Sequence, residues 1–204
     1  MRIIGLTGGI ASGKSTVSDL LQKTYGAAIL DADAAAYEIA EPEAPLWRAF
    51  VNRYGKERVL CPDGTLDREA VAEIVFRDAA EKAWMDGTAH PLIQRALLAR
   101  MEACRAAGKE TVVLDVPLLY EAGWENIAGE VWVVYVDEAT QLRRLMKRNG
   151  LSADAARARI ASQMPLEEKK RRADVLINNG GTREETAAQV KAAFEGKQAK
   201  QRNR

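Results

Sequence analysis

The sequence predicts an α/β protein in which a parallel β-sheet carries a phosphate-binding loop. Three observations predict this fold. Residues 8–16 fit the pattern Gly-x4-Gly-Lys-Ser/Thr without a gap. The short apolar run of residues 2–7 before them is typical of a buried parallel strand, and residues 16–23 after them have apolar positions at helical spacing. Further short apolar runs, separated by helical patterns, supply the other strands.

The glycine-rich stretch has the composition that phosphate binding requires. Gly8 and Gly13 accept backbone angles closed to other residues and leave room for a phosphate. The loop amides then point inward, at the positive end of the following helix. Lys14 adds a charge at the outer phosphates, and the Ser15 hydroxyl is a candidate ligand for Mg²⁺. A plain turn with a solvent-facing lysine is the alternative, which the flanking strand and helix disfavour.

A second apolar run, residues 27–30, ends in the carboxylate pair Asp31 and Asp33. Ligands of open α/β sheets bind at the carboxyl ends of strands, so a functional carboxylate is expected here. Aspartate also favours helix N-caps. We therefore expect one of the pair to cap the helix that starts near Ala34, and at least one to be functional.

Residues 34–108 show helical patterns and no strand pattern. We expect helices over residues 46–54, 66–76 and 79–107, the last interrupted near His90-Pro91. A helical insertion of this size after the second strand predicts an acceptor-binding subdomain.

The second half of the chain alternates strands and helices again. Strands are predicted over residues 110–115, 130–137 and 173–177, with residues 130–137 as a central strand. Asp115 ends the first of them and is a candidate to orient water around Mg²⁺, although many strands end in aspartate.

Cations are concentrated in the helices after residue 138. They are Arg143, Arg144, Lys147, Arg148, Arg157, Arg159, Lys169, Lys170, Arg171 and Arg172. In an otherwise neutral chain this favours a lid that closes over phosphates, the alternative being solvated helical surface.

Composition limits the classes of function. The 204 residues are 47% hydrophobic, and 30 basic against 29 acidic side chains give a net charge of +1, which argues against a broad nucleic-acid footprint. No apolar run reaches the length of a membrane span. Cys61 and Cys104 lack metal-ligand spacing and are expected to be free thiols of a cytoplasmic protein. Nothing in the sequence predicts the oligomeric state.

Taken together, these segments resemble the dephospho-CoA kinase family over nearly the whole chain. The phosphate loop alone is shared by many families, but its conjunction with the other segments is far more specific. The matching segments are residues 6–16, 31–33, 63–66, 90–93, 116–119 with Glu121, 141–144 with Arg148, 159–160 with Gln163, and 173–174 leading to Ile177, Asn179 and Gly181.

The resemblance implies a three-layer P-loop NTPase core with a five-stranded parallel sheet, a helical acceptor-binding insertion and a lid. The implied parts are a core of residues 1–33, 109–140 and 173–196, a CoA-binding subdomain of residues 34–108, a lid of residues 141–172 and a frayed tail of residues 197–204.

The resemblance also implies a reaction: ATP phosphorylates the ribose 3′-hydroxyl of dephospho-CoA, giving CoA and ADP. Asp33 would be the base that orients and deprotonates this hydroxyl, and His90 would help to form the acceptor site. The donor side would comprise Ala11, Ser12, Gly13, Lys14, Ser15 and Thr16 on the ATP phosphates, Ser15 on Mg²⁺, Arg144 and Arg148 from the lid, and Asn179 near the adenine.

Two other functions remain open from the residues. One is a kinase for another nucleoside, nucleotide or small metabolite, since the donor site would be the same. The other is a nucleotide-dependent adaptor without transfer activity, although the Asn-Lys-x-Asp segment of guanine-selective switches does not occur in the chain. His90 is also open to a structural role before Pro91.

Overall fold

The computed structural model describes residues 1–202, except for the side chains of Phe76 and residues 197–202. The predicted frayed tail, residues 197–204, lies outside the residues whose side chains are described. The chain divides into two compact units. The first comprises Met1–Leu30 and the chain from Cys104 onward, and the second comprises Asp31–Ala103.

The sheet has five strands in the order β2-β3-β1-β4-β5. They are β1 (Arg2–Gly8), β2 (Ala28–Asp31), β3 (Thr111–Asp115), β4 (Glu130–Tyr135) and β5 (Val175–Asn178). The fold class is confirmed as a three-layer α/β fold. Strand β1 lies in the middle of the sheet. Strand β4 pairs with β1 on one side and β5 on the other, which confirms the prediction of a central strand at residues 130–137.

The helices of the described chain follow in order. They are α1 (Lys14–Tyr25), α2 (Ala32–Glu38), α3 (Pro45–Tyr54), α4 (Lys56–Val59), α5 (Arg68–Arg77), α6 (Ala79–Ala106), α7 (Glu138–Asn149), α8 (Ala153–Ala161), α9 (Leu166–Arg172) and α10 (Arg183–Arg202), with a 3₁₀ turn at Glu125–Ile127.

The core of the first unit explains why its strands lack alternation. Strand β1 is buried along nearly its whole length because helices cover both faces of a parallel sheet. Leu6, Trp132 and Ile177 from three strands pack with Val17 of α1 and Phe194 of α10 in one buried cluster. This cluster fixes α1, and therefore the loop before it, against the carboxyl end of β1.

The second unit is helical, with its own core. Phe50, Val59 and Ala89 are buried there, and Trp84 packs edge-on against the ring of Phe50. Apart from Asp31 at the end of β2, the described residues of this unit have one strand-like pairing, an isolated antiparallel bridge.

Helix α6 runs unbroken through Pro91, so the predicted interruption near His90-Pro91 is wrong. Pro91 removes one backbone donor from the helix. Packing of Ala89, Leu92 and Ile93 into the core of the second unit holds the helix continuous in spite of this loss. In the described part of the chain, no helix is both long and apolar enough to cross a bilayer.

Candidate active site

The phosphate loop joins β1 to α1, and three of its glycines lie so close to neighbouring atoms that an added Cβ would have to displace them. A Cβ on Gly8 would lie 2.6 Å from Ser12 Oγ and 2.8 Å from the Val134 carbonyl oxygen. A Cβ on Gly9 would lie 2.6 Å from Gln141 Nε2. The spacing of the glycines in the sequence therefore reflects close packing around the loop as well as backbone freedom.

Gly13 has both constraints. Its φ of 86° lies in the left-handed region, and a Cβ there would clash with the amide of Asn179. As the N-cap of α1 it leaves the first N–H groups of the helix, starting at Lys14, without acceptors inside the helix. These groups, at the positive end of α1, are suited to an anion.

Asn179 braces the loop from the end of β5. Its side chain is buried, with Nδ2 donating to the Ser12 carbonyl at 2.8 Å and Oδ1 accepting from Thr186 Oγ1 at 2.9 Å. Its carbonyl oxygen accepts from Arg144 Nη2 at 2.9 Å. The structure thus brings together three residues that the sequence placed far apart, and the predicted role of Asn179 at the adenine stays a prediction.

A polar cavity of about 390 Å³ opens beside this brace. Its walls are Ser15, Thr16, Asp19, Arg144, Asn179, Gly181 and Arg183. Four of the predicted donor-site residues therefore line one cavity at the start of α1.

The ammonium group of Lys14 forms an ion pair with the carboxylate of Asp115. The Lys14 side chain is 18% exposed and that of Asp115 is 6% exposed. The structure therefore connects the loop lysine to the carboxylate at the end of β3, which the sequence singled out separately.

The cations of residues 141–172 lie in different environments. Arg144 is half-buried against Asn179, whereas Arg148 is exposed and its Nε donates to Asn149 Oδ1 at 2.9 Å. Lys169 is fully buried. The predicted roles of Arg144 and Arg148 at the phosphates stay predictions.

Lys169 pairs with Glu121 at 2.9 Å and donates to the Pro117 carbonyl at 2.9 Å. Burial lowers the pKa of the Lys169 ammonium, Glu121 opposes that shift, and the charge of Lys14 adds to it. In the sequence, Lys169 is one of four consecutive cations and nothing distinguishes it from the other three. The one sequence feature that points toward a buried partner for Lys169 is Glu121, which belongs to the segments that resemble the family.

Asp31, Asp33 and His90 belong to the second unit. Asp31 Oδ1 accepts from the N–H groups of Asp33 at 2.8 Å and Ala34 at 3.2 Å, which confirms the prediction that one of the two aspartates caps the helix. Asp33 is exposed in the first turn of α2. His90 is half-buried in α6, and its predicted acceptor role stays a prediction.

A family model and a curated relative both match this chain and indicate the same family. A family model described as dephospho-CoA kinase matches residues 2–185. A dephospho-CoA kinase of Symbiobacterium thermophilum is 50% identical over 194 residues, which cover 95% of this chain and 80% of the relative.

Two solved structures resemble the chain over nearly their whole length. A Thermus thermophilus protein has a TM-score of 0.82 at 34% identity and covers 96% of this chain and 97% of its own. A dephospho-CoA kinase from Campylobacter jejuni has a TM-score of 0.71 at 30% identity and covers 97% of this chain and 100% of its own.

Proposed function

The chain belongs to the dephospho-CoA kinase family, and from that premise we propose how its own residues transfer the γ-phosphoryl group of ATP to the ribose 3′-hydroxyl of dephospho-CoA. The products are CoA and ADP. The observation that carries the proposal is the phosphate loop. Neighbouring atoms pack closely against its glycines Gly8, Gly9 and Gly13, and Lys14, which follows Gly13, pairs with the buried carboxylate of Asp115.

The donor side follows from the loop and its neighbours. Residues 11–16 would hold the ATP phosphates with their backbone amides. The Lys14 ammonium, which pairs with Asp115 in this structure, would move partly away from that carboxylate and neutralise charge on the outer phosphates. Arg144 would face the nucleotide from the cavity wall, with Asn179 near the adenine. Arg148, being exposed, would reach the phosphates from the lid side.

Asp33 would act on the acceptor side. Its carboxylate would orient the 3′-hydroxyl and take its proton as the oxygen attacks the γ-phosphorus. The bond between that phosphorus and the oxygen shared with the β-phosphate breaks, so ADP leaves with the bonding pair. The proton then passes from Asp33 to solvent, and His90 would help to hold the acceptor.

The donor set fits Mg²⁺. The described residues hold no group of three or more His, Cys, Asp or Glu side chains suited to a metal. Mg²⁺ is commonly held by one or two protein oxygens together with substrate phosphates and water. Ser15 is exposed on the cavity wall. The Ser15 hydroxyl and the Asp115 carboxylate would supply protein oxygens, and the ion when bound would neutralise charge on the phosphates.

A cytoplasmic location and the absence of a nucleic-acid partner remain predictions from composition. The division into an acceptor subdomain, residues 34–108, and a lid, residues 141–172, is likewise part of the proposal. It is supported by the separate helical core of the second unit and by the cations of α7 to α9.

The test is incubation of the protein with ATP, Mg²⁺ and dephospho-CoA, followed by mass analysis of the acceptor. We expect one added phosphate on dephospho-CoA and stoichiometric ADP. Adenosine and AMP, offered as alternative acceptors under the same conditions, should remain unmodified. Faster phosphorylation of either compound, or ADP release that dephospho-CoA does not stimulate, would overturn the proposed function.

A further inference from the structure

Two glutamines from outside the phosphate loop bind the backbone of a single loop residue. Gln163 Oε1 accepts from the Ile10 N–H at 2.9 Å, and Gln141 Nε2 donates to the Ile10 carbonyl at 2.9 Å. Gln141 is buried in α7, and Gln163 lies between α8 and α9. We call this pair of side chains the glutamine clamp.

The loop is strained immediately after the clamped residue. Ala11 has a φ of 60°, in the left-handed region that residues other than glycine rarely adopt. Such a conformation persists only where its surroundings over-determine it. On one side of Ala11 the clamp holds Ile10, and on the other Asn179 holds the Ser12 carbonyl at 2.8 Å. The strained residue therefore lies between two external braces.

The position of Gln163 is itself fixed by a buried pair. The N–H of the next residue, Met164, donates to Glu121 Oε1 at 2.9 Å. The same carboxylate oxygen pairs with Lys169 at 2.9 Å, and Lys169 is fully buried. The chain of contacts runs from Lys169 through Glu121 to the residue beside Gln163, and from Gln163 to the loop.

We propose that Gln141 and Gln163 are positioning residues that hold the phosphate loop in its anion-binding shape, with the Glu121–Lys169 pair setting the position of Gln163. They act through the backbone of Ile10 and need not touch the nucleotide. This inference rests on the proposed function, because it assumes that the loop binds the polyphosphate of ATP. It makes polyphosphate affinity depend on the placement of residues 141–172.

Leucine variants test the clamp. Both glutamines also line a cavity of about 460 Å³, so a leucine fits there without overpacking. Titration calorimetry would measure the binding of inorganic tripolyphosphate and of ATP. We expect Gln141→Leu and Gln163→Leu each to weaken both by about tenfold, since each removes one hydrogen bond that holds the loop. KM for ATP should rise more than kcat falls, and KM for dephospho-CoA should stay unchanged.

A third glutamine provides a matched control. Gln189 of α10 makes the same pair of bonds to Asn178, accepting from its N–H at 2.9 Å and donating to its carbonyl at 2.8 Å. We expect Gln189→Leu to leave tripolyphosphate affinity within about twofold of the unmodified protein. A loss equal to that of the Gln141 and Gln163 variants would show that the effect is not specific to the contacts with Ile10, and would overturn the proposal.

Glutamate variants test the two hydrogen bonds to Ile10 without changing the size of the side chain. Gln163 acts on Ile10 as an acceptor, so Gln163→Glu keeps its bond, whereas Gln141 acts as a donor and Gln141→Glu loses its bond. Both changes keep the size of the side chain and place a carboxyl group beside Ile10, more deeply buried at position 141 than at position 163. We expect Gln163→Glu to bind tripolyphosphate several-fold more tightly than Gln141→Glu.

The outcomes distinguish the two proposals. If the unmodified protein fails to bind tripolyphosphate and ATP, the donor site itself is wrong. If it binds both and Lys14→Ala does not, the donor site stands. In that case, folded leucine variants with unchanged affinity, or glutamate variants with equal affinity, would overturn the role of the clamp alone.

Discussion

A glycine of the phosphate loop and a glycine of helix α6 have very different surroundings. A Cβ on Gly9 of the phosphate loop would meet Gln141 at 2.6 Å, whereas a Cβ on Gly87 in α6 of the second unit would meet no described atom within 4 Å outside its own helix. The loop is shaped by what surrounds it, and the second unit is shaped by the packing of helices around an aromatic core. Substitution of glycine should therefore cost function in the phosphate loop and mainly alter stability in α6.

The largest expected effect is at the loop lysine. Lys14→Ala removes the cation that would neutralise the outer phosphates, and we expect kcat/KM for ATP to fall by about 10³-fold. Steady-state kinetics with dephospho-CoA as acceptor would measure this loss. Lys82→Ala serves as a control, because it also removes a lysine that pairs with an aspartate but lies in α6, outside the phosphate loop. Unchanged kcat/KM in the folded Lys14→Ala variant would contradict the donor site.

The second largest effect is expected at Asp33, in the second unit. Asp33→Asn keeps the shape of the side chain but cannot take a proton, so we expect kcat to fall by at least about 10²-fold with little change in the dissociation constant for ATP. Turnover assays and calorimetry with ATP would measure the two quantities. Asp31→Asn is the matched control, since asparagine also caps helices and α2 should persist. Turnover near that of the unmodified protein would remove Asp33 from its role.

A smaller effect is expected at the buried cation of α9. Lys169→Met leaves the Glu121 carboxylate without its partner, and we expect the free energy of unfolding to fall by about 2 kcal/mol in denaturant titrations. The double variant with Glu121→Gln should recover part of this loss, because it removes the uncompensated charge. An additive double variant would show that the pair does not act as a unit.

The same lysine predicts a pH dependence. Because burial lowers the pKa of Lys169 in the folded protein, the unfolded chain binds more protons there between the folded pKa and the ordinary value of 10.5. The stability of the unmodified protein relative to Lys169→Met should therefore rise as pH increases through that window. Denaturant titrations of both proteins at several alkaline pH values would measure it, and a constant difference would contradict the shift.

The smallest effects compare the two glycines directly. Gly9→Ala should push the flexible end of Gln141 away from Ile10 and cost about 1 kcal/mol of stability with weaker ATP binding. Gly87→Ala should instead gain up to about 1 kcal/mol, because alanine favours a helix interior and nothing described obstructs it. Thermal unfolding would measure both changes. A gain in stability for both variants, or a loss for both, would contradict the difference between the phosphate loop and α6.

Much of the fold was predictable because its signals are local. The phosphate loop, the strand before it and the helix after it follow from glycine spacing and from apolar runs within about 20 residues. The cap formed by Asp31 was equally accessible, because its acceptors lie two and three residues away. The continuity of α6 through Pro91 was not, since it depends on how residues on either side pack into a core.

The sequence by itself determined where the phosphate loop lies, that it is flanked by a strand and a helix, and that carboxylates stand at strand ends. Only the tertiary structure decided that Gln141 and Gln163 hold Ile10, and that Lys169 is buried against Glu121. Arg171 of the same helix is exposed. The physical reason is separation along the chain. Gln163 and Ile10 are 153 residues apart, and no periodicity or composition indicates which distant backbone a polar side chain will bind.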